Sequence, residues 1–183
     1  MMTRGLAVWI LSGLVLSGCG TQPSKPDRLG LQLPPAALGA AVSLQQHLSF
    51  EWQGHHGAFD AVLEVDAERL ELVGLALGQR VLSLRYDGNT LKSWRHPMWP
   101  AHLCDEDVIE DLQLTLWPVE SIREALPAGW RIEESGLRRL LLAGDLPMIL
   151  IEYSGAPRWL GRIELSNLRY QYRLTIRSVS NDP

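Results

Sequence analysis

Apolar and polar residues alternate along most of the chain, and this alternation predicts antiparallel strands. The first clear run alternates with polar residues and contains Leu44, Leu48, Phe50 and Trp52. Such a period of two is typical of a strand with one buried face. Turn-forming residues separate the runs and favour a meander with short connections. About nine further strands are predicted near residues 59–65, 70–72, 80–86, 91–94, 130–133, 137–143, 148–153, 159–165 and 170–176.

The middle of the chain has helical spacing instead. Three acidic residues follow Cys104, where they suit the positive end of a helix, and Ile109 and Leu112 then share one helical face. Pro118 ends this helix, and a second short helix is predicted over residues 120–126. An antiparallel sheet of about ten strands must curl. We therefore expect a mainly β (α+β) fold, an incomplete barrel of about ten strands covered by two or three helices.

The N-terminus has the features of a secretory signal peptide. Arg4 precedes an apolar stretch over residues 6–16, which is shorter than the ~20 residues that span a membrane. The end of the signal, residues 16–19 (Leu-Ser-Gly-Cys), resembles the lipobox of bacterial lipoproteins. This resemblance implies cleavage before Cys19 and acylation of that residue, and stable anchoring takes two or more acyl chains. In enterobacterial lipoproteins an aspartate directly after the lipidated cysteine favours retention in the inner membrane. The resemblance therefore implies the outer membrane for this chain, which has Gly20 at that position. The alternative is a cleaved signal with an incidental cysteine.

These features predict the domain organisation and exclude some partners. The signal peptide covers residues 1–18, the lipidated N-terminus and a tether cover 19–40, and one domain covers 41–180. Without Arg4, 16 basic residues stand against 21 acidic ones, a formal net charge of −5, which argues against nucleic acid. With Cys19 acylated, Cys104 is the only thiol, which excludes an intrachain disulfide. We expect Cys104 to be a small buried hydrophobic residue.

Four stretches of the hydrophobic pattern, at residues 70–78, 82–88, 122–127 and 149–167, carry a family resemblance. With the lipobox, they resemble the LolA/LolB class of outer-membrane lipoprotein-sorting proteins. More closely, the chain resembles an uncharacterised bacterial lipoprotein family, a domain of unknown function that shares the LolB-like fold. The resemblance extends over most of residues 42–178. It implies a LolB-like half-barrel domain at residues 41–180.

The same resemblance implies a cavity between the sheet and the helices that holds acyl chains. Burying such chains contributes ~0.8 kcal/mol per methylene group. The predicted lining residues are Leu44, Leu48, Phe50, Trp52, Leu63 and Leu72 on the strands, with Ile109 and Leu112 on the helix as a lid. A closed core filled by the same side chains is the alternative, and composition does not separate the two.

LolB-like proteins also carry an apolar loop between two early strands that delivers cargo to the membrane. The matching segment is residues 74–78, where Leu75 and Leu77 lie between two glycines. The resemblance therefore implies a membrane hook formed by Leu75 and Leu77. The segment departs from the LolB pattern at Ala76, where LolB has a proline. The alternative is a continuous buried strand.

Other chemistry is weakly indicated. His55 and His56, near Glu51 and Asp60, are better explained by an exposed turn over residues 54–57 than by a zinc site, which needs three or four converging ligands. His102 and Cys104 lack any orienting motif for a thiol nucleophile. Three tryptophans around the proline-rich break form either a lipid or carbohydrate platform or ordinary packing: Trp94, Trp99 and Trp117.

The sequence thus predicts a non-enzymatic lipoprotein without a metal or cofactor, anchored through Cys19 to the periplasmic face of the outer membrane of a Gram-negative envelope. Its predicted function is to bind acyl chains or lipidated cargo and to aid their transfer into that membrane. The expected partners are the membrane, the cargo and a periplasmic LolA-like carrier. The alternative is a structural or scaffold lipoprotein of an envelope biosynthetic system, such as an aryl polyene system, with a closed core.

Overall fold

The computed structural model describes residues 28–99 and 103–181. The ten strands are β1 (Val42–Trp52), β2 (His55–Val65), β3 (Leu70–Ala76), β4 (Gln79–Tyr86), β5 (Leu91–Arg95), β6 (Trp130–Ser135), β7 (Arg138–Ala143), β8 (Leu146–Tyr153), β9 (Gly161–Asn167) and β10 (Tyr172–Ser180). Two α-helices, α1 (Asp105–Leu116) and α2 (Val119–Ala125), connect β5 to β6, and a short 3₁₀ helix (Pro35–Leu38) precedes β1.

All ten strands belong to one antiparallel sheet in the order β5-β4-β3-β2-β1-β10-β9-β8-β7-β6. Strands β5 and β6 are its two edges, so the sheet does not close. Each half is a meander of consecutive strands, and the halves join where β1 pairs with β10 from Leu44↔Ser180 to Trp52↔Tyr172. The predicted fold, an incomplete barrel of about ten strands with helices, is confirmed.

One face of the sheet, called the inner face below, is covered by α1. The phenol of Tyr153 on β8 donates a hydrogen bond to the carbonyl oxygen of Thr115 at 2.8 Å. The guanidinium of Arg139 on β7, fully buried, donates from Nη1 to the carbonyl oxygen of Leu114 at 2.8 Å. Because helix ends leave carbonyl groups without partners inside the helix, these contacts both satisfy the end of α1 and fix it to the sheet.

The strand register defines two ends of the sheet. At the upper end lie the turns after β1, β3 and β9, because Trp52 pairs with both His55 and Tyr172, and Ala76 pairs with Gln79. Helix α1 begins at this end, since Arg95 at the end of β5 donates from Nη1 to the carbonyl oxygen of Leu103 at 3.1 Å. The helix ends at the lower end, where β8 and β7 hold it.

The structure corrects the predicted tether. Residues 28–34 lie along α1 as an extended segment, the strap, and three of its side chains are buried in the core: Leu29, Leu31 and Leu33. The amide of Gln113 donates to the carbonyl oxygen of Leu33 at 3.1 Å, and Trp117 donates from Nε1 to the carbonyl oxygen of Pro34 at 3.1 Å. Residues 28–40 therefore belong to the domain, because their leucines complete its apolar core.

The predicted four-residue turn at residues 54–57 is also corrected. Strand β2 begins at His55, and only Gln53 and Gly54 form the turn, with φ of 48° and 79°. A two-residue hairpin with both central residues at positive φ matches the right-handed twist of the flanking strands. His55 and His56 consequently lie opposite Trp52 and Glu51 in the sheet.

Candidate ligand cavity

An apolar cavity of about 440 Å³ lies between the inner face of the sheet and α1. Its sheet wall comes from the middle strands and includes Leu48, Phe50, Phe59, Leu72, Leu174 and Ile176. Its other wall comes from α1 and the residues before it, including Leu103, Cys104, Val108 and Leu112. The volume falls within the ~300–1,000 Å³ that small-molecule sites occupy, and the predominantly apolar lining is typical of them.

The cavity opens at the upper end of the sheet. It extends from Ile176, buried in the middle of β10, to Gln53 and Gln171, which are exposed in the turns after β1 and β9. Trp99 borders the same opening and packs edge-on against Phe59, with ring centroids 5.6 Å apart. An apolar chain can therefore enter between the hairpin turns and the start of α1 without crossing the sheet.

Five of the eight predicted lining residues border this cavity, and three do not. Those that border it are Leu48, Phe50, Trp52, Leu72 and Leu112. Leu44, Leu63 and Ile109 lie in the closed part of the core, with 1%, 0% and 4% of their surface exposed. Leu44 and Leu63 pair across β1 and β2 towards the lower end, in the same packed core as the strap leucines. The packed strap was not predicted, so the lower part of the inner face was wrongly assigned to the cavity.

Several lining residues were missed by the sequence prediction. Leu174 and Ile176 share the inward parity of β10, so the alternation in that strand held enough information to find them. Trp99 was predicted only as part of a tryptophan platform or of ordinary packing, because it follows β5 in an irregular loop, where no alternation assigns it to the cavity. Cys104 was expected to be buried, but it is only partly buried at the cavity wall, as its position just before α1 leaves it beside the opening.

One polar cluster interrupts the apolar lining. Tyr172 on β10 donates a hydrogen bond to Oδ2 of Asp111 on α1, and the side-chain amide of Asn167 donates to the Tyr172 hydroxyl at 3.1 Å. Burial raises the pKa of Asp111 to about 7, the hydrogen bond from Tyr172 opposes this shift, and the nearby carboxylate of Glu110 adds to it. The cavity thus contains a carboxyl group that changes charge near neutral pH.

A second ionic pair lies beside this cluster. Arg169, whose side chain is 2% exposed, has Nη1 at 3.7 Å from Oε1 of Glu110 and its guanidinium 4.4 Å from the centre of the Tyr170 ring. Burial raises the pKa of Glu110, whereas Arg169 and the backbone N–H groups of Gly30 and Leu29 lower it. Glu110, which lies on α1, therefore links this helix to the strap and to the turn after β9.

Of the two predicted hook residues, only Leu77 lies in a turn. Leu77 and Gly78 alone connect β3 to β4, with φ of 50° and 74°, and Leu77 is 97% exposed. Leu75 lies within β3, paired with Asp60 and Arg80, and borders a shallow cleft on the outer face with Val62 and Val179. The turn is shorter than predicted, since β3 extends to Ala76.

The other residues that the sequence offered as candidate metal ligands or as a tryptophan platform do not come together in one site. His56 has Nδ1 3.9 Å from Glu51, and His47 has Nδ1 2.7 Å from Asp60. Within residues 28–99 and 103–181, no group of three or more potential metal ligands is present. The three tryptophans separate: Trp117 is buried, Trp99 borders the cavity, and Trp94 is 43% exposed beneath Arg80. They form no common platform.

The predicted signal peptide (1–18), the lipidation site Cys19 and His102 lie outside the described residues. None of the helices in the described ranges has the length and apolar character needed to cross a membrane.

The fold and cavity define a mainly β protein with an open ten-stranded antiparallel sheet and an apolar cavity. The chain belongs to the family described as "Protein of unknown function (DUF3261)", which it matches over residues 43–180. Among solved structures, it is similar to the LolA superfamily protein NE2245 from Nitrosomonas europaea. That match has 9% identity and a TM-score of 0.37, and covers 76% of this chain and 84% of the other. No curated protein matches the chain.

Proposed function

We propose that this protein is a non-enzymatic, outer-membrane-anchored lipoprotein that binds acyl chains or lipidated cargo in its cavity and aids their insertion into the membrane, in the manner of LolB. The observation that carries the proposal is the apolar cavity of about 440 Å³, which is open at one end and contains only a few polar groups. Each methylene group moved from water into such a site contributes ~0.8 kcal/mol. The proposed anchor is the acylated Cys19.

The conformation of Leu77 supports a delivery step. A leucine that is 97% exposed at φ 50° combines an exposed apolar side chain with a backbone conformation that costs a non-glycine residue ~1–2 kcal/mol. Asparagine or glycine would fit this turn better. Contact with a bilayer would bury the leucine and provide a reason for its presence. Under this proposal, Leu77→Glu leaves the domain folded and blocks delivery of cargo to membranes.

Ligand binding can be tested on the mature chain from Gly20, exported with an ordinary signal peptide so that it remains unacylated. Native mass spectrometry of the protein purified from its own envelope should reveal bound acyl species. The purified chain should also take up a fluorescent fatty acid. A protein that is empty and takes up no probe would contradict the proposal and favour the scaffold alternative with a closed core.

Matched variants on β10 test the location of the site. Leu174→Trp should fill the cavity and lower probe uptake at least tenfold, because Leu174 faces the cavity. Val179 lies on the same strand but is 62% exposed and borders the outer-face cleft, so Val179→Trp should leave uptake unchanged. Equal uptake by both variants would place the bound chain elsewhere.

A further inference from the structure

Buried polar atoms that lack a hydrogen-bond partner within the protein concentrate in the cavity wall. Among the described residues six side-chain atoms are of this kind, and four belong to side chains that line the cavity: Nε and Nη1 of Arg169, Nε1 of Trp99 and Oε1 of Gln46. Roughly nine in ten buried polar groups in proteins have a partner, and an unpaired one is destabilising. Such a concentration is typical of a site for a partly polar ligand.

Arg169 is the most deeply buried of these groups at the cavity opening. It lies in the turn after β9, and its side chain is only 2% exposed. Its Nη2 donates to the hydroxyl of Tyr170, and its guanidinium carbon lies 4.4 Å from the centre of the Tyr170 ring and 5.5 Å from that of Trp130. The guanidinium is thus held between two aromatic rings, while its Nε–H group has no acceptor.

Glu110 balances the charge of Arg169 without satisfying its hydrogen bonds. Oε1 of Glu110 lies 3.7 Å from Nη1 of Arg169, which is beyond hydrogen-bond distance. The other carboxylate oxygen, Oε2, accepts from the backbone N–H groups of Leu29 at 2.9 Å and Gly30 at 3.2 Å. These two bonds hold the carboxylate on the strap. The ion pair therefore offers hydrogen-bond donors to the cavity but little net positive charge.

The other polar groups of the site limit what a ligand can bring. Oδ2 of Asp111 already accepts from Tyr172, and the Tyr172 hydroxyl accepts from the side-chain amide of Asn167 at 3.1 Å. The side chains of arginine and tryptophan are donors only. Asp107 and Asp111 line the cavity, and Glu110 lies beside them on α1. A ligand group that fits here accepts hydrogen bonds and adds no negative charge.

We propose that the cavity takes its acyl chain as an ester, whose carbonyl oxygen accepts a hydrogen bond from Nε of Arg169. This inference rests on the proposed acyl cavity and specifies the class of its ligand. A free fatty acid would bring a further carboxylate next to three acidic side chains, and burying an uncompensated charge is costly. An amine would bring only donors to a site whose own donors lack acceptors. An ester carbonyl is a neutral acceptor and meets both requirements.

The length of the cavity accommodates the ester at the opening and the chain inside. From Arg169 at the opening, the apolar wall continues inward through Leu174 to Ile176. Ile176 lies four residues beyond Tyr172 on β10, which corresponds to ~14 Å at ~3.4 Å per residue. An extended acyl chain can therefore lie along β10 with its ester end beside Arg169.

Three fluorescent probes with the same chain test the head-group specificity of the unacylated mature chain from Gly20. They end in a methyl ester, in a hydrocarbon terminus or in a carboxylate. Arg169→Met combined with Glu110→Gln removes both charges of the ion pair, so that neither is left buried alone. The ratio of ester affinity to hydrocarbon affinity should fall about tenfold in this double variant.

Arg173→Lys is the matched control, because it changes an exposed arginine on β10 and should leave the ratio unchanged. Comparing ratios cancels the different hydrophobicity of the probes. Equal ratios in the parent and the double variant would overturn the inference.

Glu110→Gln alone should change the specificity in the opposite direction. It leaves the buried charge of Arg169 without its counter-ion, so the site should then favour an anionic head group. The affinity for the carboxylate probe should rise about tenfold relative to the ester probe. An unchanged ratio would mean that Arg169 does not contact the head group, against the inference.

The hydrogen bond itself can be observed by infrared spectroscopy of an ester that is isotope-labelled at its carbonyl carbon. A hydrogen bond lowers the carbonyl stretching frequency, so the bound ester should absorb below the same ester in a hydrocarbon solvent. The double variant should lose this lowering. A bound ester with the frequency of the hydrocarbon solution would overturn the inference, even if the double variant did not fold.

The hydrocarbon probe separates failure of this inference from failure of the proposed function. Its uptake requires the apolar cavity but not Arg169. Retained uptake of the hydrocarbon probe with no preference for the ester that depends on Arg169 would reject the ester alone. A parent protein that takes up none of the three probes would reject the acyl cavity and, with it, the ester.

Discussion

Tyr172, on the last strand, donates its phenolic hydrogen bond to Asp111, on the first helix, and so links two elements that are 61 residues apart in the sequence. The contact lies in the cavity wall, next to the ion pair of Glu110 and Arg169. It connects the cavity to the ionisation of one carboxyl group. The consequences for stability and for binding are separately testable.

The first prediction concerns stability against pH. The pKa of Asp111 is raised from 3.8 to about 7 in the folded domain, so the folded state retains a proton that the unfolded chain has lost. The resulting stabilisation is fully present below 3.8 and is lost as the pH rises through 7. The free energy of unfolding, measured by urea denaturation, should fall across this window. Asp111→Asn should flatten the slope, and an unchanged slope would contradict the assignment.

The second prediction concerns ligand binding against pH. Deprotonation of Asp111 introduces a negative charge into an apolar cavity that already borders Asp107. Affinity for a fluorescent fatty acid should therefore fall as the pH rises through about 7. A probe with a neutral ester head group separates two causes. Repulsion by the ionised Asp111 acts only on the charged fatty acid, whereas desolvation of the Asp111 carboxylate weakens the binding of both probes. Asp111→Asn should remove the dependence for both.

The third prediction concerns the turn between β3 and β4. Leu77→Asn creates an Asn-Gly turn that tolerates positive φ, and should raise the free energy of unfolding by about 1 kcal/mol. The same change removes an exposed leucine and should weaken binding to vesicles. Gln53→Asn, in a turn of the same length with φ of 48° and 79°, is the matched control for stability. A variant that gains stability and keeps its full affinity for vesicles would exclude Leu77 from membrane contact.

The fourth prediction concerns the end of α1. Arg139 is fully buried and donates to the carbonyl oxygen of Leu114, so Arg139→Met should destabilise the domain by about 2 kcal/mol. Arg138→Met changes the exposed neighbour on the same strand and should stay within about 0.5 kcal/mol of the parent. Thermal and chemical denaturation measure both. Equal effects of the two substitutions would show that the buried contact is not responsible.

The fifth prediction concerns the strap. Gln113→Ala leaves both backbone groups of Leu33 without their partners and should destabilise strap docking by ~1–3 kcal/mol. Limited proteolysis should then cleave within residues 28–34 while the sheet remains intact. Gln45→Ala, at an exposed position of β1, serves as the control. Resistance of the strap in the Gln113 variant would contradict its dependence on this side chain.

Much of the fold was predictable because the strands alternate regularly. Tyr172 to Ser180, for example, forms β10 close to its predicted position, and α1 begins at Asp105 and ends at Leu116 as its acids and Pro118 indicate. The strap was not predictable in the same way. Its leucines at 29, 31 and 33 alternate over too few residues, among glycine and prolines, to be distinguished from a tether.

The cavity could be anticipated only in part, since alternation identifies which side chains point inward but not how far the space between them is filled. Leu44 and Leu48 share one parity of β1, yet only Leu48 borders the cavity. The difference arises from the packing of the strap and of α1 against the sheet. These contacts join residues that are distant in sequence. The ionic groups Asp111 and Arg169 were missed for the same reason, because their environment depends on residues distant in sequence.

The pairing of β1 with β10 has a consequence for how the protein is made. Strand β1 is among the first to leave the ribosome, but its neighbour on one side is the last strand of the described fold. Until β10 arrives, β1 exposes a bare hydrogen-bonding edge next to the apolar side chains of Leu48 and Phe50. A nascent or prematurely terminated chain is therefore expected to aggregate readily until β10 pairs with β1.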